Sequence, residues 1–263
     1  MQRLERPARP HRFPDPPGRT RRRSSVRVQG SAIFQHLSRA FFTPLLAGAN
    51  FRDRSVACLG ALLGIAGTAS VCLAFAPAGS ALPILVAPMG ASAVLLFAVP
   101  ASPLAQPWPI LGGNVLSALV GIGVAHLVPN WPLAAGIAVA AAILLMSLLR
   151  CLHPPGGAAA LLAVLGGSSV RDAGYAFALL PVGINALLLI LLGILFHRVS
   201  GHSYPHRPVP VAGLSVAVPV DPRFRPEDID AALAELGETF DVSREDLNLL
   251  FRVAERHASE RRG

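Results

Sequence analysis

Between Asp53 and Asp172 the chain carries no carboxylate, and the next acid after Asp172 is Asp221. The long apolar segments therefore hold neither aspartate nor glutamate. That argues against a cation carrier or a carboxylate proton relay, both of which bury acids in the membrane. Lysine is absent, so all 23 basic residues are arginine. Together with abundant alanine this points to a GC-rich bacterial coding sequence, a statement about codons rather than chemistry. Cysteine is scarce: Cys58, Cys72 and Cys151 lie in or beside apolar segments without metal-ligand spacing. They read as small buried hydrophobes, not as a disulfide framework. A signal peptide is not expected, because the first apolar segment starts too far in and has no cleavage-like exit. Arg21-Arg22-Arg23 is not followed promptly by the hydrophobic stretch that a twin-arginine signal needs.

What is present is apolar bulk. The 263 residues are 52% hydrophobic and 14% charged, with mean hydropathy +0.52. This is the composition of an integral membrane protein, whose main surroundings are the lipid bilayer. The net charge of +8 is concentrated at one end: residues 1–54 hold twelve of the 23 arginines. A basic flank before the first span is the positive-inside signature, which places the N-terminus in the cytoplasm of a bacterial cell. Nucleic acid is not an expected partner, because no aromatic residues interleave with these arginines.

The pattern predicts an all-α integral membrane protein with four long transmembrane helices and two short Pro/Gly-started ones, broken or re-entrant. The order is two repeats of long, short, long. Residues 1–30 read as a disordered basic arm, and 31–54 as a lead-in whose Ala32 to Phe42 forms an interfacial helix. The transmembrane domain covers 55–198, with repeats at about 55–128 and 132–198. The long segments are Val56 to Phe75, Ile110 to Val128, Leu133 to Leu149 and Tyr175 to Phe196, each close to the ~20 residues a bilayer requires. Pro181 and Gly183 should bend the last one. The short helices start at Pro88 and Pro155 and cover only about 18 Å, well under the hydrocarbon thickness. If they cross, the two halves are inverted; if they re-enter, the halves are parallel. Either way both ends of the domain fall on one side.

The duplication rests on two matched stretches. Pro88-Met89-Gly90-Ala91-Ser92-Ala93-Val94-Leu95 resembles Pro155-Gly156-Gly157-Ala158-Ala159-Ala160-Leu161-Leu162, and one asparagine follows each, Asn114 and Asn185. The prolines are 67 residues apart and the asparagines 71, so a single loop adjustment separates the copies. Interrupted hydrophobic segments at matching places in two halves point to a transporter's binding site.

The central stretch is Arg150-Cys151-Leu152-His153-Pro154-Pro155-Gly156-Gly157. Charge, imidazole, prolines and glycines are all costly in hydrocarbon. As a helix start they make sense: proline suits the first turn, glycine permits close approach, and the N-terminus offers N–H groups to an anion. The competing reading is a tight turn between two membrane helices.

Past the spans, 199–222 is a Pro-rich linker in which His197, His202 and His206 read as a basic juxtamembrane collar rather than a metal site. The tail, 223–263, holds a helix from Pro226 to Leu236 and a second opened by the capping box Ser243-Arg244-Glu245-Asp246, running to about His257. Two small amphipathic helices cannot form a core of their own. Residues 226–257 should therefore pack on a protein partner, a second copy in a homo-oligomer, or the membrane region.

His153-Pro154-Pro155 followed by Gly156-Gly157-Ala158 resembles the signature of the HPP family of integral membrane proteins. Ala87 to Ala93 and Ser102-Pro103-Leu104-Ala105-Gln106-Pro107 are similar to its other recurring blocks. The resemblance covers about Phe42 to Arg198 and implies four spans. Plant chloroplast and cyanobacterial members are implicated in nitrite transport, so the resemblance implies a transporter or channel for a small inorganic anion. Many bacterial relatives continue into paired CBS domains that bind adenosine nucleotides. This chain stops at Gly263, so that sensor is expected to be absent and nucleotide regulation does not transfer.

Both lines meet on one expectation: two short helices aim their N-termini at a shared mid-membrane site, at Pro88-Gly90-Ala91 and at Pro154-Pro155-Gly156-Gly157. Asn114 and Asn185 would supply amides, Ser92 a hydroxyl, and Arg150 or His153 positive charge, with no metal and no cofactor. His153 is the first candidate, able to carry a proton with the anion. The structural readings stand beside it: Asn114 and Asn185 as interhelical hydrogen bonds, Arg150 as a snorkelling anchor, Gly112, Gly113, Gly121 and Gly123 as packing contacts. Two other classes compete. One is a non-transporting scaffold acting through the C-terminal helices. The other is a membrane-embedded enzyme with His153 as base, for which the sequence positions no Ser, Cys or carboxylate partner.

Overall fold

A computed structural model describes residues 51–76, 79, 82–207, 225–236 and 240–261. The expected basic arm, the interfacial helix at 32–42 and most of the 199–222 linker lie outside the described residues. Among the described residues the protein is all helix. The elements are α1 (Phe51–Phe75), α2 (Pro88–Ala98), a 3₁₀ turn (Pro103–Ala105), α3 (Pro107–Leu127), α4 (Trp131–Leu148), α5 (Pro154–Leu165), α6 (Gly167–Ala173), α7 (Ile184–Ser200), α8 (Pro226–Leu236) and α9 (Arg244–Glu260). A π-turn at Ala178–Gly183 leads into α7, and the two together make a 23-residue span. Its kink falls at Leu180, whose backbone leaves the helical region before Pro181. Proline there removes a donor and crowds the preceding turn.

Four helices are long and apolar enough to cross a membrane: α1, α3, α4 and the π-turn with α7. They pack through small residues. α1 buries Ala57, Gly60, Gly64 and Thr68, and α4 buries Ala134, Ala138, Ala142 and Met146. A stripe repeating every three or four residues is one helix face, and small side chains let backbones approach where lipid supplies no hydrophobic drive. A methyl group added at Gly60 or Gly64 would sit 2.5–2.6 Å from the ring of Phe97. Leu59, Leu62, Leu63 and Leu73 of α1 and Leu191 and Leu195 of α7 point outward, as lipid-facing residues do.

Contacts along the helices give their directions. Asn185, near the start of α7, bonds the segment leading into α2, and His197, near its end, bonds Leu96 at the end of α2. So α2 and α7 run the same way. Gly113 lies against Cys151 and His153, and Gly121 against Ala160 and Ala163, so α3 and α5 run the same way too. α1 opposes α7: Gly60 meets Phe196, while Cys72 meets Asn185. Each short helix therefore completes a crossing together with its extended lead-in. The two long-short-long units run in opposite senses, and both ends of the domain lie on one side. Of the two topologies left open by the sequence, the inverted one is found.

The units are also interleaved. α1 packs on α2 and on α7, whereas α4 packs on α5 and on α3. The third helix of each unit thus lies against the short helix of the other. This exchange brings Asn114 and Asn185 to their positions.

Candidate functional site

α5 begins with two prolines at its first positions, and its N-cap is His153 in extended conformation (φ −142°, ψ 105°). The imidazole is wholly buried, as are Ser92 and Asn114. Gly113 and Gly156 let α3 and α5 close to backbone contact: a methyl group at Gly156 would stand 2.8 Å from the Gly113 carbonyl. That contact seats His153 beside Asn114 and turns it toward α2.

The polar groups form one chain. Asn114 Nδ2 donates to the Ile110 carbonyl at 2.8 Å and to Ser92 Oγ at 3.2 Å. Ser92 Oγ lies 2.8 Å from His153 Nε2, and His153 Nδ1 lies 2.8 Å from the Leu104 carbonyl. A carbonyl can only accept, so Nδ1 carries a proton, and in the neutral ring Nε2 accepts from the serine hydroxyl. Every member of the chain is satisfied except Asn114 Oδ1, which is buried without a partner among the described residues.

Among the comparisons with known proteins, the family profile described as "HPP, transmembrane region" matches residues 47–205. The chain belongs to the HPP family. Two relatives of the HPP chain are transmembrane proteins of Dictyostelium discoideum. One is 38% identical over 127 residues, covering 46% of this chain and 44% of the relative. The other is 38% identical over 118 residues, covering 43% and 38%. The HPP chain thus matches less than half the length of either curated relative. No solved structure matches it.

The HPP motif, His153-Pro154-Pro155, heads the site, but the residues named from sequence do not all converge on it. Ser92, Asn114 and His153 come together. Pro155 and Gly156 are buried in the α3–α5 contact, while Pro154 is exposed and Gly157 has only Val139 near it. In α2, Pro88 is buried, whereas Gly90 and Ala91 face outward on the side opposite Met89, Ser92 and Leu96. Helical periodicity separates neighbours in sequence onto different faces. Arg150 is exposed, in a left-handed turn at φ 54° that ends α4, and its charge lies outside the chain. Asn185 belongs to a different joint. Its Oδ1 accepts from Val86 N at 2.9 Å, and its Nδ2 donates to the Ile84 carbonyl at 3.0 Å and to Cys72 Sγ at 3.2 Å.

The expected supply of free N–H groups at the two helix starts is corrected. The first position of α2 and the first two of α5 are proline and have no N–H. Met89 N and Gly90 N donate to Val86 and Ala87, and Gly156 N donates to the His153 carbonyl. Prolines and tight first turns consume the donors that a helix start otherwise offers.

Several residues about the HPP motif were not foreseen. The Leu104 carbonyl fixes the His153 tautomer, and Ser102-Pro103-Leu104-Ala105-Gln106 drew notice only as a family block. Ser92 stands beside His153 as a serine–histidine pair, which no sequence spacing revealed. His197, read as part of a surface collar, is buried and donates from Nε2 to the Leu96 carbonyl at 2.9 Å. His206 pairs with Asp246 at 2.9 Å. Among the described residues no group of three or more potential ligands could hold a metal.

An apolar groove of about 520 Å³ opens between α3 and the kink before α7, with Gly112 and Cys151 in its wall. It includes Val115, next to Asn114, and Cys151, two residues before His153, but neither Asn114 nor His153.

Proposed function

We propose that this HPP protein moves a small inorganic anion, nitrite-like in size and charge, across a bacterial cytoplasmic membrane, and that His153 carries a proton with it. The observation that supports this most is the chain Asn114–Ser92–His153: a fully buried imidazole joining two short helices of opposite sense, in spans without a carboxylate. Inverted repeats with interrupted helices meeting at mid-membrane are the usual setting of a transport site. In the resting arrangement the imidazole is neutral. A second proton at Nε2 creates a buried cation with no acid in the spans to balance it, and an arriving anion provides that balance. The Ser92 hydroxyl, no longer donating to Nε2, is then free to donate to the anion. The Arg-rich N-terminal flank, with both domain ends on one side, supports a cytoplasmic position for the termini.

The test is uptake of nitrite, nitrate, bicarbonate or chloride into liposomes that carry a luminal pH dye, against protein-free vesicles. One anion should enter with acidification of the lumen. His153→Ala should abolish entry per folded molecule, with the folded fraction checked separately because the substitution empties a buried site. No flux of any anion through correctly folded protein would overturn the reading.

The scaffold reading draws on α9, where the apolar Leu250 and Phe251 are exposed. A partner retained on Leu250→Glu would remove that support. Catalysis has less support. Ser92 and His153 form a pair, but the N–H groups at the helix starts that would stabilise an oxyanion are already engaged.

A further inference from the structure

The loop Ser102–Gln106 touches both the buried imidazole and the polar tail. On its inner side the Leu104 carbonyl accepts from His153 Nδ1. On its outer side Ser102 Oγ donates to Asp241 Oδ1 at 2.8 Å, while accepting from Leu104 N at 3.1 Å. Three hydrogen bonds in series thus connect a carboxylate of the tail to the imidazole in the membrane.

Other bonds brace the same loop. Gln106 Nε2 donates to the carbonyls of Pro100 and Ser102, and Gln106 Oε1 accepts from His206 N at 2.9 Å. The Tyr204 hydroxyl donates to the Ala105 carbonyl at 2.9 Å. Burial pushes that phenol above its ordinary pKa, so it remains a donor. His206 then donates to both carboxylate oxygens of Asp246, at 2.9 and 3.1 Å. Asp246 is also held by Ser243, the N-cap of α9, which accepts from the Asp246 N–H at 3.0 Å. So α9 is fastened to the loop through one carboxylate on its first turn, and the chain just before it through another.

We propose that residues 240–260 are a docked control element, and that Asp241 and Asp246 are positioning residues for His153. Held by them, the loop presents the Leu104 carbonyl that keeps the proton on Nδ1 and leaves Nε2 the unprotonated nitrogen, facing Ser92. When the tail lifts, the loop loses two of its outer anchors, and the imidazole is no longer committed to one tautomer. The tail thereby sets whether Nε2 is available. This goes beyond the transport reading and does not depend on what is carried.

The experiment uses the full chain in nanodiscs, with ¹⁵N-labelled histidine and the His153 signals assigned by their loss in His153→Asn. Asp241→Ala and Asp246→Ala are compared, singly and together, with Glu245→Gln as a control on the same turn. Hydrogen exchange across 244–260 reports whether the tail is released. In the double variant exchange should rise at least tenfold, and the two His153 ring nitrogens should move several ppm toward the averaged position of mixed tautomers. Glu245→Gln should move neither. Release of the tail with unchanged His153 signals would overturn the proposal, and so would an undisturbed tail. If the double variant fails to fold, Ser102→Ala breaks the series at its middle and must give the same shift. Where anion flux has been established, it should change at least threefold in the same variants. Failure of flux alone bears on the transport reading, whereas an unmoved tautomer bears on this one.

Discussion

The two lead-ins to the short helices occupy matching places in an inverted pair, yet one is a joint and the other holds the candidate site. Before α2, Asn185 grips the backbone at Ile84 and Val86 with both ends of its amide. Before α5, the residue at the corresponding offset from Val86 is His153, and Asn114 leaves the lead-in backbone alone, reaching instead to Ser92 and Ile110. Ser92 itself corresponds to Ala159. The duplicated amide closes backbone bonds in one half. In the other it is released from that duty, and a titratable ring fills the freed position. Stability and the proposed chemistry are thus divided between copies of one motif.

The sharpest way to break this division is His153→Ala. It should reduce anion uptake into proteoliposomes by more than tenfold, equivalent to more than about 1.4 kcal/mol on the rate-limiting barrier. Its counterpart Val86→Ala should leave uptake per folded molecule within about twofold. Equal losses from both would mean that the halves share the work.

The next largest effect falls on stability. Asn185→Ala leaves Val86 N and the Ile84 carbonyl without their partner, at roughly 1–3 kcal/mol for each buried group. Unfolding by denaturant in detergent should show a loss of about 2–4 kcal/mol. Asn114→Ala leaves the Ile110 carbonyl its helical bond and deletes an oxygen that has no partner, so its cost should be smaller than that of Asn185→Ala, about 1 kcal/mol, while uptake falls severalfold. Reversal of these outcomes would show that the unpartnered oxygen is structural.

Much of this fold was legible in the chain because its signals are local. Twenty-residue apolar runs set the long helices, Pro88 and Pro154-Pro155 set the short ones, and the capping box at Ser243 opens α9 as its spacing demands. His153 stood out because imidazole is rare at such depth. What stayed hidden depends on contacts far apart in sequence. Leu104 lies 49 residues from His153 and contributes a carbonyl, which every residue has. The two asparagines looked equivalent because their spacing is nearly the same. Only the exchange of third helices between units gives them different neighbours. The helix-start donors were misjudged for another reason: the prolines that announce a helix also remove the N–H groups that would make it an anion site.

The finest test concerns glycines at the start of the two short helices. Gly90 and Gly157 occupy matching positions, and a methyl group at Gly90 meets nothing within 4 Å, while one at Gly157 meets only Val139 at 4.0 Å. Alanine at either should stabilise the helix by about 0.5–1 kcal/mol, the ordinary difference between the two residues in a helix interior. Gly156 looks the same in sequence but abuts the Gly113 carbonyl, Ser117 Oγ and Met146 Sδ, all within 2.9 Å of an added methyl group. Gly156→Ala must push α5 away from α3, at a cost of roughly 1–3 kcal/mol. The displacement would also draw His153 from Ser92, so uptake should fall with stability at Gly156 and with neither change at Gly90. A Gly90 variant that lost uptake while remaining folded would place the solute path on the outer face of α2 and remove the site from the His153 side altogether.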